Sequence, residues 1–261
     1  MTLLFHELKR NKLSLAIWSA IIAFMLSVTV IIYPEMSSEM ESISDMMANM
    51  GAFSDAFGMD KLNFGEFIGY FGVECGNVLG LGGAFFAAIV GVSALAKEEK
   101  EHTAEFLLTH PVTRTSIVLQ KLASVYLQII ALNAVVAAAV SLSIIVIGEE
   151  VPVKTISLLL LAYFLLQIEI ASITFGISAF LKNGGFAVGL GISVLFYFMN
   201  IVANLTEDAE FLKYITPFGY TEGGDIVSNS AINGKYLAIG MAFAAAAIIA
   251  GFVKYRKKDI S

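Results

Sequence analysis

Apolar residues along this chain fall in long runs separated by short polar stretches. A helix that crosses a bilayer needs roughly 20 mostly apolar residues, and six runs meet that length: 13–33, 69–95, 116–147, 155–181, 186–205 and 235–253. The pattern predicts an all-α, polytopic membrane protein whose residues 1–261 form a single transmembrane domain. The first run is too long for the apolar core of a signal peptide and has no small-residue cleavage site before Tyr33-Pro34, so it is read as a retained span.

The polar stretches carry their own periodicity. Residues 1–12, MTLLFHELKRNK, place Leu3, Leu4, Phe5 and Leu8 beside Lys9, Arg10 and Lys12, which predicts an interfacial helix feeding the first span. The loop over 34–68 sets Met36, Met40, Ile43, Met46, Met47, Met50 and Phe53 at helical spacing with acids between them, an amphipathic helix on the membrane surface. Two readings of its methionines stay open, a lid packed on the bundle or a soft-metal contact, because thioethers pack anywhere and also suit Cu(I).

Composition agrees with the pattern: 57% of residues are apolar and 15% charged, against about a quarter charged in soluble domains. Charge placement supplies orientation. Lysine and arginine at 9, 10, 12, 97, 100, 114, 121, 182, 254, 256, 257 and 258 share one side of the six spans, and only those at 61, 154, 213 and 235 lie on the other. The positive-inside rule puts both termini in the cytoplasm. Most of the acids then lie outside, so the net charge of −6 belongs to the outer face. The lone Cys75 excludes an intrachain disulfide.

Within the spans, Gly72, Gly76, Gly80, Ala84 and Ala88 stand four residues apart, a small-residue face that lets another helix approach closely. That helix belongs either to this chain or to a second copy, or the face borders a pathway. Glu74 and Glu169 lie inside spans, where a charge facing lipid costs at least about 2.5 kcal/mol at the bilayer centre. They are satisfied by Asn77, Asn133, Gln167 or a serine, or they line a route for solute or protons. Tyr197 and Asn200 in the fifth run mark another candidate wall.

The segment 97–114, KEEKEHTAEFLLTHPVTR, interrupts two of the most apolar runs. It predicts a short helix stopped by Pro111, which lacks the amide donor. The order Glu98-Glu99, Thr103, Glu105, Leu107-Leu108, Pro111-Val112, Arg114 resembles the Glu-Glu-x-x-Gly-Thr-x-Glu-x-Leu-Leu-x-x-Pro-Val-x-Arg signature of ABC-2 type transporter permeases, with His102 in the glycine position. The basic amphipathic start, the Tyr-Pro after the first span, the six spans and the basic tail extend the resemblance over nearly the whole chain. It implies a transmembrane subunit of an ATP-driven transporter, usually an exporter, in a prokaryotic-type plasma membrane.

It further implies that the segment is a cytoplasmic coupling helix between spans two and three. Glu98, Glu99, Thr103, Glu105, Leu107, Leu108, Pro111 and Arg114 are then the residues that dock on two copies of an ABC ATP-binding subunit, beside a second permease in a homodimer or heterodimer. Gly72, Glu74, Gly76, Gly80, Glu169, Tyr197 and Asn200 are candidates for the pathway or for helix packing. The chain has no phosphate loop, since its only Gly-Lys pair, Gly234-Lys235, has Asn229 where the first glycine belongs and Tyr236 where a serine or threonine belongs. ATP and Mg are thus expected on the partner, with no cofactor, metal or catalytic residue on this chain. Nucleic acid is not expected, because the basic tail reads as an anchor for anionic lipid. The alternative is a non-transporting sensor or assembly scaffold that docks an ATPase.

Overall fold

The computed structural model describes residues 2–48, 50–58, 61–100, 113–148, 150–181 and 185–257. No strand occurs among them, and six helices are long and apolar enough to cross a membrane. We number the helices α1 (Thr2–Ala48), α2 (Ala52–Ala56), α3 (Phe67–Cys75), α4 (Gly82–Lys100), α5 (Arg114–Ile147), α6 (Val153–Ser178), α7 (Phe186–Leu205), α8 (Gly223–Asn229) and α9 (Gly234–Lys257). Between α3 and α4 the chain stays helical but winds as a π-helix over Gly76–Leu81, so the second span is one interrupted rod. Two 3-10 segments, Glu207–Tyr214 and Pro217–Tyr220, join α7 to α8.

The second and fourth spans form the core. Their most apolar windows are 61% and 56% buried, against 17–28% in the other four, so the remaining helices present one face to the surroundings. Helix α6 is packed by α4 on one side and α9 on another, while α1 lies along α5 and α7 against α4. On α1 the inward residues Ile22, Leu26, Val30 and Tyr33 and the outward residues Leu13, Ile17, Ile21 and Phe24 are alike apolar or aromatic. In lipid both faces of a helix lie in apolar surroundings, so hydrophobicity does not tell them apart and packing decides.

Helix α1 differs from the sequence expectation. Residues 2–12, expected as the helix that feeds the first span, run straight on into it, and no break occurs at Pro34: α1 is continuous for 47 residues and carries Pro34 inside it. Nothing between Lys12 and Leu13 stops a helix, and Glu7 is tied to Lys121 of α5 at 3.1 Å. Beyond the first span, Tyr33 donates to the Gly65 carbonyl at 2.7 Å and its ring meets Phe67 and Tyr70 at 5.3 and 5.5 Å. These contacts hold the turn around Pro34 in place although the proline removes one helical hydrogen bond. The methionine-rich segment is helical to Ala48, but the side chains of 38–45, 47 and 48 lie outside the described residues, and with them the choice between lid and metal contact.

Candidate functional site

The site is built around the π-helical turn. One turn of π-helix displaces the facing residues relative to a regular α-helix and is frequent at functional positions. Here it exposes the backbone of Gly72 and Gly76 to a chamber of about 70 Å³ at the end of the bundle that carries the long connections. Tyr163 of α6 reaches across to it: a Cβ on Gly76 would lie 2.9 Å from the phenol oxygen, and one on Gly80 would lie 2.9 Å from the ring. Tyr197 and Asn200 of α7 form the facing wall, and Tyr197 packs edge-on against Phe218 at 5.5 Å. Asn200 Oδ1 is buried without a hydrogen-bond partner.

Glu222 closes the chamber and also lines a neighbouring cavity of about 210 Å³ nearer the surface. Asn204 Nδ2 donates to its Oε1, and Lys213 Nζ lies 3.6 Å from its Oε2. Burial pushes this carboxyl above the usual range, the nearby charge of Lys213 pulls it back, and Asp225 raises it again. The boundary between the two cavities is therefore a carboxylate poised between burial and an ion pair.

Four sequence candidates, Gly72, Gly76, Tyr197 and Asn200, thus meet in one chamber. Three do not. Gly80 lies a turn deeper, against the ring of Tyr163. Glu74 is half-buried and outside the chamber lining. Glu169 is fully buried at the contact of α6 with α9, where a Cβ on Gly240 would meet its carboxylate. Its partner is none of the residues the sequence suggested: Tyr220 donates to Oε2 at 2.9 Å, while Asn133 and Gln167 bond to each other at 2.7 Å. Burial and the neighbouring Glu169 carboxylate push the Tyr220 phenol well above its ordinary range, so the proton stays on the tyrosine.

The small-residue stripe also divides. Residues four apart precess by about 40° per step around an α-helix, so five of them cannot share one face. Gly76 and Gly80 meet α6, whereas Ala84 accepts from Ser193 and the Ala88 carbonyl faces Gly189, both on α7. Below the π turn, Gly83 and Gly91 take over against Gln167 and Ala171 of α6. All these partners belong to the same chain.

Of the docking candidates, Glu98 and Glu99 end α4, their side chains lying outside the described residues, as do Thr103, Glu105, Leu107, Leu108 and Pro111 entirely. Arg114 begins α5, just after Thr113, whose hydroxyl accepts from the Ser116 amide at 3.2 Å as the N-cap. Its Nη1 donates to the carbonyls of Tyr255 and Arg256 at 3.4 and 3.1 Å. It ties the first turn of α5 to the last turn of α9.

A family model described as ABC-2 family transporter protein matches residues 1–260. The chain belongs to the ABC-2 transporter family. With its six apolar helices it is a multi-pass membrane protein and a membrane subunit of an ABC transporter, and permeases of this family work with ABC ATPase subunits. No curated protein matches the chain. In this ABC-2 subunit, sequence reasoning missed Tyr163, Tyr220 and Glu222 as site residues. A tyrosine in an apolar run and a glutamate in a loop carry no local mark of what they touch. Lys121 did carry one, a cation seven residues into a spanning helix, which needs a buried partner.

Proposed function

We propose that this ABC-2 subunit forms the translocation pathway of an ATP-driven exporter. Its 97–114 segment receives the stroke of a separate ATPase, and its chamber beneath Glu222 is the outer part of the route. In this reading both termini and the 97–114 segment are cytoplasmic, the membrane is a prokaryotic-type plasma membrane, and two ATPase copies carrying ATP and Mg act on a pair of permeases, identical or different. The observation that supports it most is the course of the second span. A single rod leads from Glu98 and Glu99 to the π turn under Gly72 and Gly76, the floor of the chamber. A displacement at its docking end reaches the chamber through packed helix, and a π turn is a place where such a rod can change its winding.

Coexpression with the partner ABC ATPase tests this reading. The charge-reversed pair Glu98→Lys with Glu99→Lys, and separately Leu107→Asp, should insert normally yet lose the ATPase on purification. Leu107→Asp should lose more, because an apolar anchor in a partner pocket is worth 2 kcal/mol or more, or about thirtyfold in affinity. Full retention of the ATPase and of transport by all these variants would remove the coupling assignment.

A further inference from the structure

The chamber beneath Glu222 and the cavity nearer the surface share a further property: every buried side-chain atom left without a hydrogen-bond partner in their described linings is an oxygen. Asn200 Oδ1 belongs to the chamber, Asn204 Oδ1 to the outer cavity, and Glu222 Oε2 to the boundary between them. The Asn204 amide is oriented by its nitrogen, which donates to Glu222 Oε1 and to the Ala56 carbonyl, so its oxygen stays an acceptor. Glu222 is the decisive group. Its side chain is 6% exposed, and Lys213 Nζ, 3.6 Å from Oε2, lies beyond hydrogen-bond reach. The lysine offsets the charge of the carboxylate without supplying the missing donor.

Acceptors held out of water are destabilising until a donor reaches them, and three around one passage call for a group with several donors and no acceptor. A primary ammonium is such a group, with N–H donors alone, whereas a quaternary ammonium has none and a hydroxyl has one. Charge favours the same choice. Among the described residues lining the outer cavity, Asp55, Glu207, Glu210 and Glu222 outnumber Lys61 and Lys213, and Lys61 is already held by Asp225 at 2.9 Å. A cleft with an excess of one sign concentrates ions of the other. Tyr163, Tyr197 and Phe218 in the chamber wall suit a cation and its methylenes. Size adds a limit, since about 70 Å³ admits an aminomethyl end more readily than three N-methyl groups.

We propose that the solute conducted through this chamber carries a primary ammonium group, which Glu222 binds at the boundary, with the Asn200 oxygen on the chamber side and the Asn204 oxygen on the outer side. The proposal rests on the chamber being the outer part of the translocation route. The test is thermal unfolding of the full chain in detergent, at constant pH and ionic strength, over concentration series of butylamine, butyltrimethylammonium and 1-butanol. Butylamine should raise the melting temperature by mass action, reaching a given rise at a concentration about tenfold or more below that of either analogue. Equal effects of the three probes, or no effect of butylamine, overturn the ammonium assignment. Dioleoyl phosphatidylethanolamine and dioleoyl phosphatidylcholine in mixed micelles separate the sources. A rise with the first lipid alone makes a lipid headgroup the carrier of the ammonium, and equal effects of the two lipids beside a selective butylamine response make it a soluble amine.

Two variants address the site itself. Glu222→Gln keeps the side-chain volume and an acceptor for Asn204 while removing the charge, and Asn200→Leu removes the chamber oxygen at similar size. The butylamine concentration needed for a given rise, measured from each variant's own ligand-free melting temperature, should increase about tenfold in the first and about fivefold in the second. A wild-type response in both overturns the proposal. The three-probe comparison on the wild-type chain decides the matter even if neither variant folds. Loss of butylamine selectivity leaves the route itself standing, because ATPase docking is read separately through the Glu98, Glu99 and Leu107 variants. Selective butylamine binding together with full ATPase retention and transport by those variants overturns the route and keeps the ammonium site.

Discussion

Tyr163 sets how closely the two core spans approach, because its ring occupies the space that side chains at Gly76 and Gly80 would need. Gly76→Leu should therefore force the ring aside and destabilise the chain by about 1–3 kcal/mol, the usual cost of overpacking. Gly191→Leu, at a glycine with nothing within 4 Å of a Cβ, should be nearly silent. Thermal unfolding of the two variants in the same detergent checks the difference, and equal melting temperatures would mean that Tyr163 does not constrain the second span. The sequence announced Gly76 through its spacing but not its partner. The same holds for Gly176 and Gly251, where α6 and α9 cross so closely that a Cβ on Gly251 would lie 2.8 Å from the Gly176 Cα. Two glycines on different helices share no local pattern, and only the packing pairs them.

At the scale of elements, the helices of the membrane were readable because each must satisfy its own backbone and stay apolar for its full length. The six predicted runs fall within the observed rods to within a few residues at most ends. What could not be read was how rods join or bend. Pro34 suggested an end to the first span, yet α1 continues through it, since tertiary contacts of Tyr33 outweigh one lost hydrogen bond. The π turn at Gly76–Leu81 likewise has no signal beyond an abundance of glycine.

Arg114 belongs to this scale too, as a brace between helices whose ends lie 141 residues or more apart in sequence. A guanidinium on terminal carbonyls both satisfies orphan acceptors and opposes the negative end of the helix dipole. Arg114→Ala should cost about 1 kcal/mol and speed amide exchange in the last turns of α9 while leaving α7 unchanged. Unaltered exchange over residues 250–257 would show that the brace is not needed.

For the whole molecule, membership of the ABC-2 family and the six-helix architecture agree with what the sequence implied. The site was legible only in part: the sequence supplied Gly72, Gly76, Tyr197 and Asn200, whereas the connection over 206–233 that supplies Phe218, Thr221 and Glu222 carries no local sign of a site. Buried surface under a loop has no period to betray it. In the proposed function one end of the bundle seats an ATPase and the other is the outlet. Cysteine cross-linking tests that division directly, because the only native cysteine, Cys75, is buried. A thiol-reactive cross-linker should join Glu99→Cys to the partner ABC ATPase in assembled complexes and should fail to join Asp55→Cys under the same conditions. Capture of the ATPase by Asp55→Cys but not by Glu99→Cys would contradict the account.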